Sequence, residues 1–134
     1  MHSVKEKPMN SNVGLWIDHR QAVIVSLTDK VEKTRRIISH MERHVRFSGG
    51  SQDVAAEDQR DRRFTEHLHK YYDKVVSSIR DADSILILGP GEAKEELRAR
   101  LEREALGGRI AGVETVDKMT DGQLAARVRQ HFSP

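Results

Sequence analysis

In the stretch Ser84-Ile85-Leu86-Ile87-Leu88-Gly89-Pro90-Gly91, four aliphatic side chains stand in a row with no polar residue between them. A strand with one wet face alternates apolar and polar residues. A short unbroken aliphatic run reads instead as a strand covered on both faces, the usual state of a parallel strand inside an α/β sheet. Gly89-Pro90-Gly91 ends the run. Residues 92–105 then read as a helix, with Glu92, Glu95 and Glu96 in its first turn and arginines later, an order that suits the helix dipole. Gly107-Gly108 is the expected stop, and 110–116 reads as a last strand. Thr120 and Gln123 have capping-box spacing and Met119 can staple onto Leu124, so a final helix opens there.

Working back from the same stretch, Val13-Gly14-Leu15-Trp16-Ile17 reads as a buried strand, Asp18-His19-Arg20-Gln21 as a turn, and Ala22-Val23-Ile24-Val25-Ser26-Leu27 as a second strand. Thr28-Asp29-Lys30 turns the chain into a third, more exposed strand over 31–44, with Ile37 and Ile38 central. Three strands joined by short turns make an antiparallel meander. Residues 45–53 contain Gly49-Gly50 and show no alternation, so they read as a long loop of the kind that is functional or disordered. Phe64, Leu68, Tyr71, Tyr72, Val75, Val76 and Ile79 then form one apolar helical stripe, and Arg63, His67, Lys70 and Lys74 form a basic one. The order β-β-β-α-β-α-β-α is a meander followed by two right-handed crossovers. It predicts an α/β fold, a ribonuclease-H-like mixed five-stranded sheet with helices on both faces. Residues 1–12 are expected to be a flexible tail and 13–134 a single domain.

Composition narrows the classes. At 134 residues, 37% hydrophobic and 33% charged, the chain is too apolar for wholesale disorder and has no run of about 20 apolar residues that could span a bilayer. Its start, MHSVKEKPMNSN, has no apolar core of a secretory signal, so a cytoplasmic location is expected. The absence of cysteine removes disulfides, thiolate metal sites and cysteine nucleophiles. Twenty-three Lys and Arg against 21 Asp and Glu leave a net charge of +2, so any contact with nucleic acid has to come from local clustering.

Four constellations bear on chemistry. Asp18, at the end of the first strand, is where a nuclease of this fold order would hold a carboxylate near metal ions, but the matching position after Leu88 is Gly89-Pro90-Gly91. That glycine turn could cradle a phosphate at a helix N-terminus, although Glu92, Glu95 and Glu96 would repel one; Lys94 is left as a candidate RNA contact. The histidines lack metal-ligand spacing, so no metal and no cofactor are expected, and they read as surface groups. The fourth constellation is the glycine loop flanked by Arg43, Arg46, Arg60, Arg62 and Arg63, with His67, Lys70 and Lys74 along the following helix. A flexible tip with a basic helix behind it suits a phosphate-lined partner.

Taken together, the opening hairpin, Gly49-Gly50-Ser51-Gln52 with Arg62-Arg63-Phe64 after it, and Gly89-Pro90-Gly91-Glu92-Ala93-Lys94 resemble the central domain of the archaeal and eukaryotic peptide-chain release factors and of Pelota. The resemblance spans nearly all of 13–134 and implies a ribosome, ribosomal RNA or tRNA partner, in peptide release or ribosome rescue. In that family a contiguous Gly-Gly-Gln loop enters the peptidyl-transferase centre, and its glutamine helps to place the water that cleaves the peptidyl-tRNA ester. Gly49, Gly50 and Gln52 match those roles, with Ser51 intervening. The codon-reading and partner-binding domains of full factors have no counterpart in these residues. A protein-interaction or oligomerisation module that keeps the fold without an RNA role is the alternative, and a metal-dependent nuclease the third reading.

Overall fold

The aliphatic run does form an interior strand. The computed structural model describes residues 11–29, 31–39 and 54–133, with side chains from residue 62 onward in the last of these. Strands β1 (Ser11–Ile17), β2 (Gln21–Thr28) and β3 (Val31–Ile38) precede helix α1 (Val54–Ile79). Strand β4 (Ser84–Gly89), helix α2 (Ala93–Arg103), strand β5 (Ile110–Thr115) and helix α3 (Asp121–Phe132) follow. The sheet order is β3-β2-β1-β4-β5, with β1 antiparallel to β2, β2 antiparallel to β3, and the β1–β4 and β4–β5 pairs parallel. This is the ribonuclease-H-like mixed sheet that the element order predicts.

Two cores flank the sheet because alternate residues of its central strands point to opposite sides. Leu15, Ile17, Ile85 and Ile87 meet Tyr71, Tyr72, Val75, Val76 and Ile79 of α1 and Leu97 and Leu101 of α2. Trp16, Val23, Val25, Leu86 and Leu88 meet Leu124, Ala125 and Val128 of α3 on the other side. An unbroken aliphatic strand is thus what a sheet covered on both faces requires.

Several boundaries differ from the expectation. Strand β1 begins at Ser11, inside the expected tail of 1–12, because Ser11 and Asn12 pair with Thr28 and Leu27 of β2. Ser11 also exchanges hydrogen bonds with Asp83 just before β4: its N–H donates to Asp83 Oδ2 (2.9 Å) and its carbonyl accepts from Asp83 N–H (2.7 Å). Strand β3 ends at Ile38 rather than 44, and α1 starts at Val54, well before Arg62. Phe64 is exposed, so the buried stripe of α1 begins in earnest only near Leu68 and Tyr71.

Helix α2 stops at Arg103, not at Gly107-Gly108. The stop is Ala105, whose φ of 64° lies in the left-handed region. Its N–H donates to the Glu102 carbonyl (3.1 Å), and the Leu106 N–H donates to the Leu101 carbonyl (2.8 Å). This is a Schellman closure, with Leu101 and Leu106 packed in the same core. Alanine in that conformation carries Cβ strain that glycine would not. Ala105→Gly is therefore expected to stabilise the fold by about 0.5–1 kcal/mol, strain relief exceeding the added freedom of the unfolded chain. A higher urea midpoint at unchanged slope checks this, and an unchanged or lower midpoint refutes it.

The capping box at α3 forms as the spacing predicts. Gln123 N–H donates to Thr120 Oγ1 (3.0 Å), and Thr120 N–H donates to Gln123 Oε1 (2.9 Å). Met119 packs with Leu124 in the same cluster.

Candidate functional site

Helix α1 carries most of the described candidate residues, and it is fixed to the sheet by more than apolar packing. Tyr71 and Tyr72 are buried, and the Tyr71 hydroxyl donates to the Asp18 carbonyl (2.8 Å) in the β1–β2 turn. The Tyr72 hydroxyl donates to Glu96 of α2, whose Oε1 also lies 3.0 Å from His19 Nε2. Burial, reinforced by the nearby Asp18 charge, pushes the Tyr71 phenol far above the ordinary tyrosine range. Burial does the same to Tyr72, reinforced by the hydrogen bond to Glu96 and its charge.

His67 is half-buried, and its Nε2 sits against the Ser39 carbonyl. Ser39 is held in turn, its hydroxyl donating to the His19 carbonyl (2.6 Å) and its N–H to the Arg20 carbonyl (2.8 Å). His67 therefore clips α1 to the end of the β meander. The expectation that the histidines are surface groups is corrected here, since His19 and His67 are both half-buried and each is engaged by a neighbouring element.

The other described members of the basic set are placed differently. Arg62, Arg63, Lys70 and Lys74 are exposed on α1. At 100° per residue, Arg63, Lys70 and Lys74 fall within an arc of about 40°. None of the four has a carboxylate partner among the described residues, and Asp73 between them is committed to Arg100. Lys94 is buried, and its Nζ donates to the Gly91 carbonyl (2.6 Å), closing the turn between β4 and α2. Arg60 lies on α1 with its side chain outside the described residues. Arg43, Arg46, Gly49, Gly50 and Gln52 also lie outside them.

Sequence reading missed the junction of α1 and α2. The Arg100 guanidinium is buried there, paired with Asp73, 2.7 Å from His69 Nδ1 and 6.0 Å above the Tyr72 ring. It borders a cleft of about 230 Å³ that Leu68, Tyr72, Glu96 and Ala99 also line. One signal was present: Arg100 falls between Leu97 and Leu101 on the buried side of a helix, where a cation needs partners.

Asp18 is occupied by its turn, with Oδ1 accepting from the N–H groups of Arg20 (2.8 Å) and Gln21 (2.9 Å). Among the described residues no group of three His, Asp or Glu side chains converges to hold a metal ion, so the nuclease reading gains no support from geometry. Gly89 has a purely structural reason to be glycine, since a Cβ there would come within 2.4 Å of the Ile17 carbonyl oxygen. Among the described residues no helix is long and apolar enough to cross a membrane.

These features define an α/β domain of ribonuclease-H-like topology whose long helix carries an exposed basic strip without carboxylate partners among the described residues. The same fold occurs in solved structures of two Pelota proteins and of an archaeal translation termination factor. Thermoplasma acidophilum Pelota matches 90% of this chain at 16% identity and a TM-score of 0.54, over 36% of its own length. Archaeoglobus fulgidus Pelota matches 96% at 13% identity and a TM-score of 0.57, over 33% of its length. The archaeal translation termination factor aRF1 matches 88% at 13% identity and a TM-score of 0.53, over 37% of its length. The chain thus has a Pelota- and release-factor-like domain fold and spans about a third of the length of those proteins. No protein-family model and no curated protein matches the sequence.

Proposed function

We infer that this chain is a translation-associated domain that binds ribosomal RNA or tRNA. The observation that carries the reading is the strip of Arg63, Lys70 and Lys74, with Arg62 on the adjoining face of α1, all exposed and without carboxylate partners among the described residues, on a fold found in Pelota and aRF1. Cations not neutralised within the protein are the ones able to release counterions from a phosphate backbone. Arg43, Arg46 and Arg60 extend the strip in sequence toward Gly49-Gly50-Ser51-Gln52. His67 and Lys94 serve the reading indirectly, one by orienting α1 and the other by closing the Gly-Pro-Gly turn.

The test is salt-dependent cosedimentation with ribosomes. Replacing Arg63, Lys70 and Lys74 by alanine together is expected to reduce the slope of log affinity against log salt by about 2–3, near one unit for each phosphate that the variant no longer neutralises. Arg98→Ala is the control, because Arg98 is already paired with Glu95 and Glu102. Binding indifferent to salt and to the triple substitution refutes the reading in favour of a protein-interaction module. Peptide release from stalled ribosomes that vanishes in Gln52→Ala while binding persists would extend the reading to ester hydrolysis. No release by the purified protein would restrict it to binding.

A further inference from the structure

Strand β3 is the outer edge of the sheet, and it is long and regular. All eight of its residues pair in register with β2, from Thr28↔Val31 to Gln21↔Ile38, and seven of the eight are exposed. An edge strand turns the N–H and C=O of every second residue away from its own sheet, ready to pair with another strand.

The two faces of β3 differ in how their charges are used. On the side toward α3, Glu32 is paired with Arg129 (2.7 Å) and Arg36 with Asp121 (2.8 Å), so that side is neutralised internally. On the side toward α1 stand Val31, Lys33, Arg35 and Ile37, and neither Lys33 nor Arg35 has a carboxylate partner among the described residues. Among the described residues, Arg35 donates to the neutral Ser78 hydroxyl (3.2 Å) and to no carboxylate. Beside it, Arg35 and Ile37 of β3 and Asp73, Lys74, Ser77 and Ser78 of α1 line a shallow, open groove of about 400 Å³. The one carboxylate of that groove, Asp73, is bound to Arg100. Among the described residues, Lys33, Arg35 and Lys74 are thus a cationic wall without carboxylate partners, running beside a strand edge that no other described strand covers and an aliphatic side chain, Ile37.

The geometry points to β3 and the adjoining groove as a docking site for an acidic segment of another protein, bound as an added strand. The edge supplies main-chain hydrogen bonds, and the groove receives alternate side chains. Carboxylates on that side of the incoming strand face Lys33, Arg35 and Lys74. A second copy of β3 is a poor occupant. Antiparallel pairing centred on Thr34 would set Lys33 of each copy opposite Arg35 of the other, pairing centred on Arg35 would set Arg35 against itself, and like charges directly opposite destabilise a strand pair.

The probe is a fluorescent nine-residue peptide alternating Glu and Val, titrated into the intact chain and followed by anisotropy and by amide NMR. Binding is expected, with shift changes concentrated at 31–38 and 74–78. It should weaken at least about tenfold in the double variant Lys33→Glu/Arg35→Glu, and as much when alternate peptide amides are N-methylated, because methylation removes strand hydrogen bonds and leaves charge intact. Equal binding of the N-methylated peptide would overturn strand addition. Displacement of the peptide from 31–38 by a single-stranded RNA oligonucleotide that itself binds there more tightly would assign the edge to nucleic acid. Self-association through β3, lost in the double variant, would assign it to a second copy.

Discussion

Replacing Gly89 with alanine is expected to destabilise the protein by about 3 kcal/mol or more, a large share of the stability of a domain this size. The new Cβ would lie 2.4 Å from the carbonyl oxygen of Ile17, and that atom belongs to the backbone of the neighbouring central strand. A flexible side chain could swing away, but Ile17 is held in β1 and buried in the core, so the clash has to move a strand. Gly89 also closes the other flank, its carbonyl accepting the Val116 N–H at 3.0 Å. Gly14→Ala is milder, about 1–3 kcal/mol, because its Cβ meets the Val128 side chain at 2.3 Å and α3 can shift outward from the sheet. Gly91→Ala meets nothing within 4 Å and should change stability by less than about 0.5 kcal/mol. Urea midpoints for the three variants check the ranking. Equal and small effects at Gly89 and Gly91 would show that the first glycine of the turn is not there to spare the Ile17 carbonyl.

Alkaline unfolding is the second large effect. Tyr71 and Tyr72 both have phenols pushed far above the ordinary range by burial, so the folded protein keeps their protons where the unfolded chain loses them. The unfolded form then binds fewer protons, and stability falls as pH rises. The contribution is intact below about pH 10, the tyrosine value in an unfolded chain, and declines above it by about 1.4 kcal/mol per pH unit for each tyrosine. Arg100, above the Tyr72 ring, opposes the shift at that residue but does not cancel it. Tyrosinate absorbance and loss of far-ultraviolet circular dichroism should therefore rise together in one cooperative step. Tyr72→Phe should flatten the dependence by about half. Tyrosinate appearing well before the dichroism changes would mean that the two phenols ionise within the native fold, contrary to this account.

The candidate surface was legible only in part. Arg63, Lys70 and Lys74 share a helix face by spacing alone, and the structure leaves them exposed. His67 has the same spacing but is drawn to Ser39, because the end of the β meander passes beside that turn of α1. Lys94 looks like an accessible cation in sequence and is instead folded back onto Gly91. Helical periodicity says which way a residue faces along its own helix. It does not say what another element has brought there.

What the sequence determined by itself is the local and periodic part: the aliphatic run of the 84–88 strand, the apolar strands and turns of the meander, the apolar stripe of α1 apart from Phe64, and the Thr120–Gln123 cap. These follow from interactions within a few residues and from the two periods, near 2 and 3.6, that bury one or both faces of an element. Tertiary structure alone decided the long-range pairings: Glu32 with Arg129 across 97 residues, His19 with Glu96 across 77, and Arg100 with Asp73 and His69. It decided too that Ala105 ends α2, that Gly89 has no room for a methyl group, and that β3 has spent its charges on one face and kept them on the other. The reason is physical. Sheet order sets which distant side chains become neighbours, and only that proximity fixes whether a charge is cancelled, buried or left for a partner.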